Sequence, residues 1–368
     1  MTTATDTMTH HLPRTSRTKL ADPQGKREEP LPPSKVAAPL HIPFERRLQM
    51  GSIAVWLSCS LSCTALFLAF WTHSFWFPLA LVYLAYIYLD RATPNQGGRR
   101  IQTVREWSLW KYLADYFPIQ VIKEQDLDPS GNYLFGYHPH GILSFGFVSL
   151  FATEGSGFSR LFPGVIPSVA TIPLAFFLPF YRDLVLSMGF CSPSRQSLES
   201  VLQSGPGRSV AIVLGGAGEA LVSTPGSNRL ILKKRLGFVR LAIHKQASLV
   251  PVFSFGETDL YNQYQLDGGS VLDTVRSLLT CCCGISFPLF YGRGLFNYDF
   301  GLVPYRKPIT IIVGHPITMP KLDKDQVEPT KEQVLEVQEQ YIKALTGIYD
   351  KYKDIYAKDR EQDLQIIA

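Results

Sequence analysis

From Leu48 to Leu89 the chain carries no Asp, Glu, Lys or Arg, and Leu, Phe, Trp, Tyr and Ala dominate the run. At ~1.5 Å rise per residue, about 20 residues cross a hydrocarbon core. The run therefore predicts two helical passes, near Ser52 to Trp71 and Phe75 to Leu89, turning at Thr72 to Ser74 ahead of Pro78. The second pass is short for a full crossing, which admits a re-entrant or shallow hairpin beside a transmembrane one. A pair of buried core helices is the alternative. Arg46 and Arg47 precede the run and Arg91, Arg99 and Arg100 follow it, so the positive-inside rule puts both ends in the cytosol. The polar, Pro-rich stretch ahead of the run is too long for a signal peptide.

Three regions follow. Residues 1–43, with Thr, Pro, Arg and Lys and little apolar content, read as a disordered cytosolic tail. Residues 44–91 read as the membrane hairpin, and 92–368 as a cytosolic, membrane-associated domain. Arg105 to Tyr116 predicts an amphipathic helix whose Trp107, Trp110 and Tyr112 lie at headgroup level or pack on the domain. From about residue 117 strands alternate with helices, the pattern of a largely parallel sheet covered on both faces. Four strands stand out: Tyr133 to Tyr137, Ser209 to Leu214, Leu249 to Phe255 and Pro308 to Val313. They end in His138 to Gly141, Gly215 to Glu219, Gly256 with Glu257, and Gly314 with His315. If the strands are parallel and adjacent, all four clusters share one edge, where an α/β protein keeps its chemistry. Thr330 and Gln333 resemble a capping box, and Val334, Val337, Tyr341, Leu345, Ile348 and Tyr352 recur at helical steps, so a long amphipathic helix closes the domain. Leu161 to Tyr181 lacks charge but holds Pro163, Pro167, Pro173 and Pro179, which argues against a regular spanning helix and for a segment that lines an apolar tunnel or dips into the bilayer.

An apolar content of 46% with 18% charged residues over 368 residues agrees with membrane association. The six cysteines form no disulfide scaffold: Cys59 and Cys63 sit in the apolar run, Cys191 stands alone, and Cys281, Cys282 and Cys283 are consecutive and match no zinc spacing. That triple is read as buried or in a loop, with acylation as the alternative.

Two imidazoles just past a strand suit proton transfer near neutral pH, as transfer of an acyl group to an alcohol requires. A His-x-His pair equally suits a metal, with His244 or His315 as the third imidazole, but metal-free catalysis is favoured. The backbone amides of Gly215, Gly216, Ala217 and Gly218 can cradle a phosphate or an oxyanion. Leu221 stands where the dinucleotide fingerprint needs its third glycine. Glu219 is expected to orient a histidine, bind a hydroxyl or cap the following turn. Lys233, Lys234, Arg235 and Arg240 around Gly237 make a basic patch fit for the phosphates of coenzyme A, for an anionic lipid surface, or simply for solvent.

The ordered motifs Tyr116-Phe117-Pro118, His138-Pro139-His140-Gly141, Arg182-Asp183-Leu184, Gly215-Gly216-Ala217-Gly218-Glu219-Ala220, Arg235-Leu236-Gly237-Phe238 and Leu249 through Glu257 resemble those of the type-2 diacylglycerol acyltransferase family, which includes monoacylglycerol and wax-alcohol acyltransferases. The resemblance runs from the apolar run to about Pro320. It implies an α/β fold with a mixed, largely parallel sheet flanked by helices, similar to the glycerolipid acyltransferases. It also implies an endoplasmic-reticulum enzyme that moves a fatty acyl chain from acyl-CoA to diacylglycerol, and residence on lipid droplets. Acyl-CoA is then a substrate, no cofactor is expected, and the partners are diacylglycerol, the phospholipid bilayer and the droplet surface, with no nucleic acid.

The phosphate-acylating relatives place an Asp five residues after their His. Here Leu143 and Phe145 occupy those positions, so Glu219, Asp183 or a backbone group has to orient the imidazole. Related plant members keep a histidine only at the position of His140, which makes His140 the base that takes the proton from the attacking hydroxyl, with His138 and Glu219 as further catalytic candidates. The motif residues Pro139, Gly141, Tyr116, Phe117, Pro118, Arg182, Asp183, Gly215, Gly216, Gly218, Arg235, Gly237 and Glu257 are then substrate-binding candidates. An acyl-cysteine route through Cys191, a metal-dependent hydrolase and a noncatalytic lipid-binding protein are the competing readings. The acceptor, set by the shape of a tunnel, stays open among diacylglycerol, monoacylglycerol and a long-chain alcohol.

Overall fold

A computed structural model describes residues 42–264, 288–297, 300–323, 326 and 328–367. Most of the N-terminal tail and the cysteine triple at 281–283 lie outside the described residues.

The apolar run forms two helices, α1 (Phe44–Thr72) and α2 (Phe77–Leu89), joined by four residues. Pro78 sits in the first turn of α2, where a missing N–H costs nothing. The two helices touch through aromatic pairs across the turn, Phe70 with Trp76 and Trp71 with Phe77, and through Phe67 with Tyr83. Helix α1 is long and apolar enough to cross a membrane; α2 has 13 residues. Much of their surface is exposed apolar side chain, including Leu61, Leu66, Leu68, Val82 and Leu89. At its N-terminal end α1 packs on the domain: Ile53 is fully buried, and Trp56 meets Trp110 edge-on at 5.6 Å.

The helix expected over Arg105 to Tyr116 is broken. A single turn (Gln102–Arg105) ends at a fully buried arginine, and a second helix starts at Ser108 and runs to Tyr116. The break occurs because the Arg105 guanidinium is drawn inward to the carbonyls of Met188 and Phe151 and to Glu154. Trp110 is buried against α1 and Trp107 is exposed.

The central sheet comprises β1 (Gln120–Lys123), β2 (Tyr133–His138), β3 (Ile166–Ala170), β4 (Phe190–Cys191), β5 (Arg208–Val213), β7 (Ser248–Phe255) and β10 (Thr310–Val313), in the order β1-β10-β7-β2-β5-β3-β4. The short strands β6 (Arg229–Ile231), β8 (Asn262–Gln263), β9 (Phe290–Tyr291) and β11 (Gln365–Ile367) make two separate pairs, β6 with β11 and β8 with β9. All neighbours in the central sheet are parallel except β10 and β7. The sheet is thus mixed and largely parallel, and helices flank it.

That exception corrects one expectation. Thr310 pairs with Phe255, so the chain re-enters the sheet at the edge where β7 left it and runs back. The clusters after β2, β5 and β7 share one edge, whereas Gly314 and His315 lie at the other. There Gly314 donates to the Pro251 carbonyl, and Nδ1 of His315 meets Gln125 at 2.8 Å. The uncharged segment Leu161 to Tyr181 forms no spanning helix, in line with its prolines, and part of it is β3, paired with β5 on one side and β4 on the other. After β3, residues 172–180 leave the sheet.

Side chains of β2 alternate between the two faces. Tyr133, Phe135 and Tyr137 join a core with the Ser108–Tyr116 helix, Phe145, Phe147, Phe151 and Val185. Leu134 joins the opposite core, formed by the helices Arg195–Gln203, Gly237–Lys245 and Lys331–Tyr356. The last of these begins with the complete capping box, Thr330 accepting from Gln333 N and the Gln333 side chain from Thr330 N.

Candidate active site

Strand β2 delivers His138 and His140 to the sheet edge, and the two imidazoles part company there. His138 is the last strand residue and is fully buried on the face covered by the C-terminal helix. Its Nε2 lies 3.1 Å from the Tyr341 hydroxyl, which in turn donates to the Gly136 carbonyl at 3.1 Å. With the phenol proton committed to Gly136, Nε2 carries the imidazole proton and donates to the phenol oxygen. This leaves at Nδ1 a buried lone pair, cheaper to orphan than an N–H. Burial pushes the His138 pKa down to about 3, so the ring is neutral.

A cis His138–Pro139 bond and Gly141, with φ of +60°, turn the chain out of the strand. A Cβ on Gly141 would come within 2.8 Å of Glu257 Cγ and 2.9 Å of its carbonyl, so the loop closes over Glu257 only with glycine there. His140 is part-buried, and its Nδ1 lies 3.1 Å from the Gly141 carbonyl and 3.4 Å from the Ser144 hydroxyl. Ser144 donates at 2.7 Å to the His140 carbonyl. The Gly141 carbonyl can only accept, which fixes the proton on Nδ1 and turns the Nε2 lone pair outward. Nε2 has no hydrogen-bond partner among the described residues. Desolvation lowers the His140 pKa, so the ring is neutral at pH 7. The orienting group is therefore a backbone carbonyl, one of the three candidates the sequence offered.

Glu219 meets His140 through the main chain. Its buried carboxyl accepts the backbone N–H of His140 at 2.6 Å on one oxygen and that of Ile231 at 3.0 Å on the other. It holds the histidine's main chain rather than its ring. Burial raises its pKa to about 7 despite these donors. Gly215 is required beside it, since a Cβ there would lie 1.9 Å from the carboxyl. Gly216, with φ of +60°, has nothing within 4 Å of an added Cβ, and a Cβ on Gly218 would meet only Ile231, at 3.5 Å. The space over this loop is open. Arg235 reaches the Gly215 carbonyl at 3.4 Å; its sequence neighbours Lys233 and Lys234 are exposed, as are Gly237 and Arg240 of the Gly237–Lys245 helix.

Glu257 lies beneath the loop. It accepts from Tyr137 at 2.7 Å and from Gly146 N at 3.1 Å, and burial raises its pKa to about 7. Tyr116 and Phe117 stand one layer further back: Phe117 packs on Phe145 at 4.9 Å, Tyr116 donates to the Pro304 carbonyl, and Pro118 is exposed as the chain turns toward β1. Arg182 and Asp183 belong to a separate cluster. Arg182 is buried against the Asp90 carboxylate and carbonyl at the end of α2, and Asp183 accepts from Tyr83 and Tyr86 of that helix. These two residues fasten α2 to the domain.

Tyr341 and Ser144 were missed as site residues. Tyr341 counted only as one apolar position on a helix, and Ser144 carries no signal beyond standing four residues after His140. Cys191 is fully buried in β4 and its thiol is pushed up to about 12, which is hostile to a thiolate nucleophile. Among the described residues no three His, Cys, Asp or Glu side chains converge as a metal site, and His315 is at the far edge of the sheet.

A neutral imidazole, held at Nδ1 by the Gly141 carbonyl, thus stands beside a glycine loop on the C-terminal edge of a mixed sheet. The family model for diacylglycerol acyltransferases matches residues 67–367, and the chain belongs to that family. It is 50% identical over 332 residues to diacylglycerol O-acyltransferase 2B of Umbelopsis ramanniana, covering 90% of this chain and 95% of the relative. It is 44% identical over 317 residues to diacylglycerol O-acyltransferase 2 of Danio rerio, covering 86% of each. To 2-acylglycerol O-acyltransferase 1 of Bos taurus it is 42% identical over 332 residues, 89% of this chain and 98% of the relative.

Proposed function

We propose that this protein transfers a fatty acyl group from acyl-CoA to diacylglycerol, giving triacylglycerol, with His140 as general base. The observation that carries the reading is the fixed tautomer of His140: Nδ1–H is spent on the Gly141 carbonyl, and neutral Nε2 is free to accept a proton. Nε2 takes the proton of the acceptor hydroxyl as its oxygen attacks the thioester carbonyl. The tetrahedral intermediate collapses with loss of the C–S bond, and the imidazolium returns the proton to the CoA sulfur. Backbone amides of the Gly215–Gly218 loop, open above Gly216, support the oxyanion. The basic loop at Lys233, Lys234, Arg235 and Arg240, one hydrogen bond from Gly215, suits the phosphates of CoA. His138 acts by positioning, because it is buried and engaged by Tyr341.

In this reading α1 and α2 anchor the protein in the endoplasmic-reticulum membrane, with residues 1–43 and 92–368 in the cytosol. At ~1.5 Å per residue α2 spans about 20 Å, less than a hydrocarbon core, which supports a shallow hairpin compatible with a lipid-droplet monolayer. Monoacylglycerol is the second acceptor to weigh, because a 2-acylglycerol O-acyltransferase is among the relatives.

The test is labelled acyl-CoA supplied to membranes of a host without neutral-lipid synthesis, with diacylglycerol, monoacylglycerol or a long-chain alcohol as acceptor. Triacylglycerol formed by the wild type and lost in His140→Ala is the expected result. Transfer only to another acceptor moves the protein to a sister specificity, and transfer to none overturns the reading.

A further inference from the structure

Residues 161–181 contain no charged side chain. After β3 this segment makes one 3-10 turn (Pro173–Phe176) that is two-faced: Ala175 and Phe176 point into the core, while Ile172, Leu174 and Phe177 are 46%, 44% and 74% exposed. Three large apolar side chains turned outward from one short turn need an apolar partner.

Register places this turn beside the site. Tyr137 pairs with Val213, and Val169 pairs with Ala211, so Thr171 stands level with Val213 and Tyr137. Thr171 keeps this ladder, donating to the Cys191 carbonyl. Ile172 and Leu174 therefore leave the sheet at the level where His138 and His140 leave it, two strand spacings or about 10 Å away.

The far end of the same segment is seated on the apolar helices. The Phe180 ring packs on Phe67 and Phe70 of α1, at 6.1 and 5.9 Å, and on Tyr83 of α2 at 4.6 Å, and its N–H donates to the Tyr83 hydroxyl. The exposed turn is thus joined through Phe180 to α1 and α2 by a stretch of chain that carries no charge. Hydrocarbon is the partner that fits all of this.

We propose that Ile172, Leu174 and Phe177 form a lip sunk among the acyl chains of the bilayer, over which the membrane-dissolved acylglycerol passes to the sheet edge at His140. The inference rests on the reading of the protein as a membrane-bound acyltransferase. It gives that enzyme an access route for an acceptor that never needs to enter water.

Two measurements on the full chain in phosphatidylcholine vesicles test it. Leu174→p-benzoylphenylalanine, illuminated, is expected to yield adducts with phospholipid acyl chains, while the same photoprobe at exposed Lys343 yields none. The double variant Leu174→Gln with Phe177→Gln is expected to raise the KM for dioleoylglycerol, in mole fraction of lipid, roughly tenfold. The KM for acyl-CoA and turnover at saturating acceptor stay within about twofold of wild type. Cross-links from position 174 to protein instead of lipid, or an unchanged surface KM, overturn the lip. Failure of the wild type to acylate any acylglycerol instead overturns the assigned reaction, and the photoprobe then still reports whether the turn lies in lipid.

Discussion

The carboxyl of Glu219 grips the main chain of His140, accepting its N–H at 2.6 Å, and with its other oxygen grips Ile231 at 3.0 Å. A short helix after β5 thereby fixes the loop after β2 to strand β6. Glutamine at 219 can keep only one of these bonds, since its amide presents a donor to the other N–H. Glu219→Gln is expected to lower kcat about 10-fold with little change in KM for acyl-CoA, and Glu219→Ala to lower it further. Steady-state kinetics on variants of wild-type circular dichroism check this, and an unchanged kcat in Glu219→Gln would show that the grip is dispensable.

The histidines should separate by kind. Loss of a general base costs on the order of 10²–10⁴-fold, so His140→Ala is expected to fall in that range while unfolding near the wild-type temperature. His138→Ala empties a fully buried site and removes the donor to the Tyr341 oxygen, which keeps its bond to Gly136, so its main effect is on thermal stability, with an activity loss about tenfold or less. Equal kinetic losses from both would refute the division of roles.

The acid limb of the rate profile reports His140. Desolvation lowers its pKa, so the midpoint at which kcat/KM falls with decreasing pH should lie below the ordinary imidazole value of 6.5. A midpoint above 6.5 would indicate a charged, solvated imidazole and contradict the site as built.

Stability has its own pH dependence. The folded pKa of Glu219 is raised from 4.5 to about 7, so the folded state binds protons that the unfolded state releases. Its contribution is fully present below pH 4.5 and is lost as pH rises through about 7. Between pH 5 and 8 the wild type should lose more thermal stability than Glu219→Gln, which has no proton to release at that position. Parallel curves would argue against a raised pKa.

Cys191 and Asp183 serve as negative tests. Cys191→Ala is expected to retain activity within about threefold, and acid quench during turnover should trap no acyl-cysteine, because the thiol is buried and its pKa is pushed up to about 12. Asp183→Asn weakens the fastening to Tyr83 and Tyr86, so it should lower the unfolding temperature without moving the KM for acyl-CoA. A tenfold rise in that KM would return Asp183 to the substrate site.

Strands β2, β5 and β7 were legible in the sequence because each is an apolar run halted by a polar or glycine cluster, and that punctuation is local. The direction of β10 was not. Pro308 to Val313 reads the same whether the strand runs up or down, and only its pairing with β7 decides which edge receives His315. Strand β3 hid behind Pro167, tolerated because β3 pairs with β4 only through Val169 and Ala170, further along. The loop His138 to Gly141 was legible as a candidate site, but the group that orients the His140 ring was not singled out, since a backbone carbonyl has no residue type to announce it. Tyr341 escaped because a hydroxyl that reaches through a core toward His138 occupies the same heptad position as one that only packs.

The C-terminal segments bear on when the site can exist. Tyr341 holds Gly136 and His138, and β11, at residues 365–367, pairs in parallel with β6, whose Ile231 anchors Glu219. The loop that carries His140 is thus braced by stretches of chain made more than 200 residues after it. On the ribosome the apolar helices α1 and α2 emerge long before these braces do. A nascent chain therefore holds its apolar helices well before the contacts that brace the His140 loop can form.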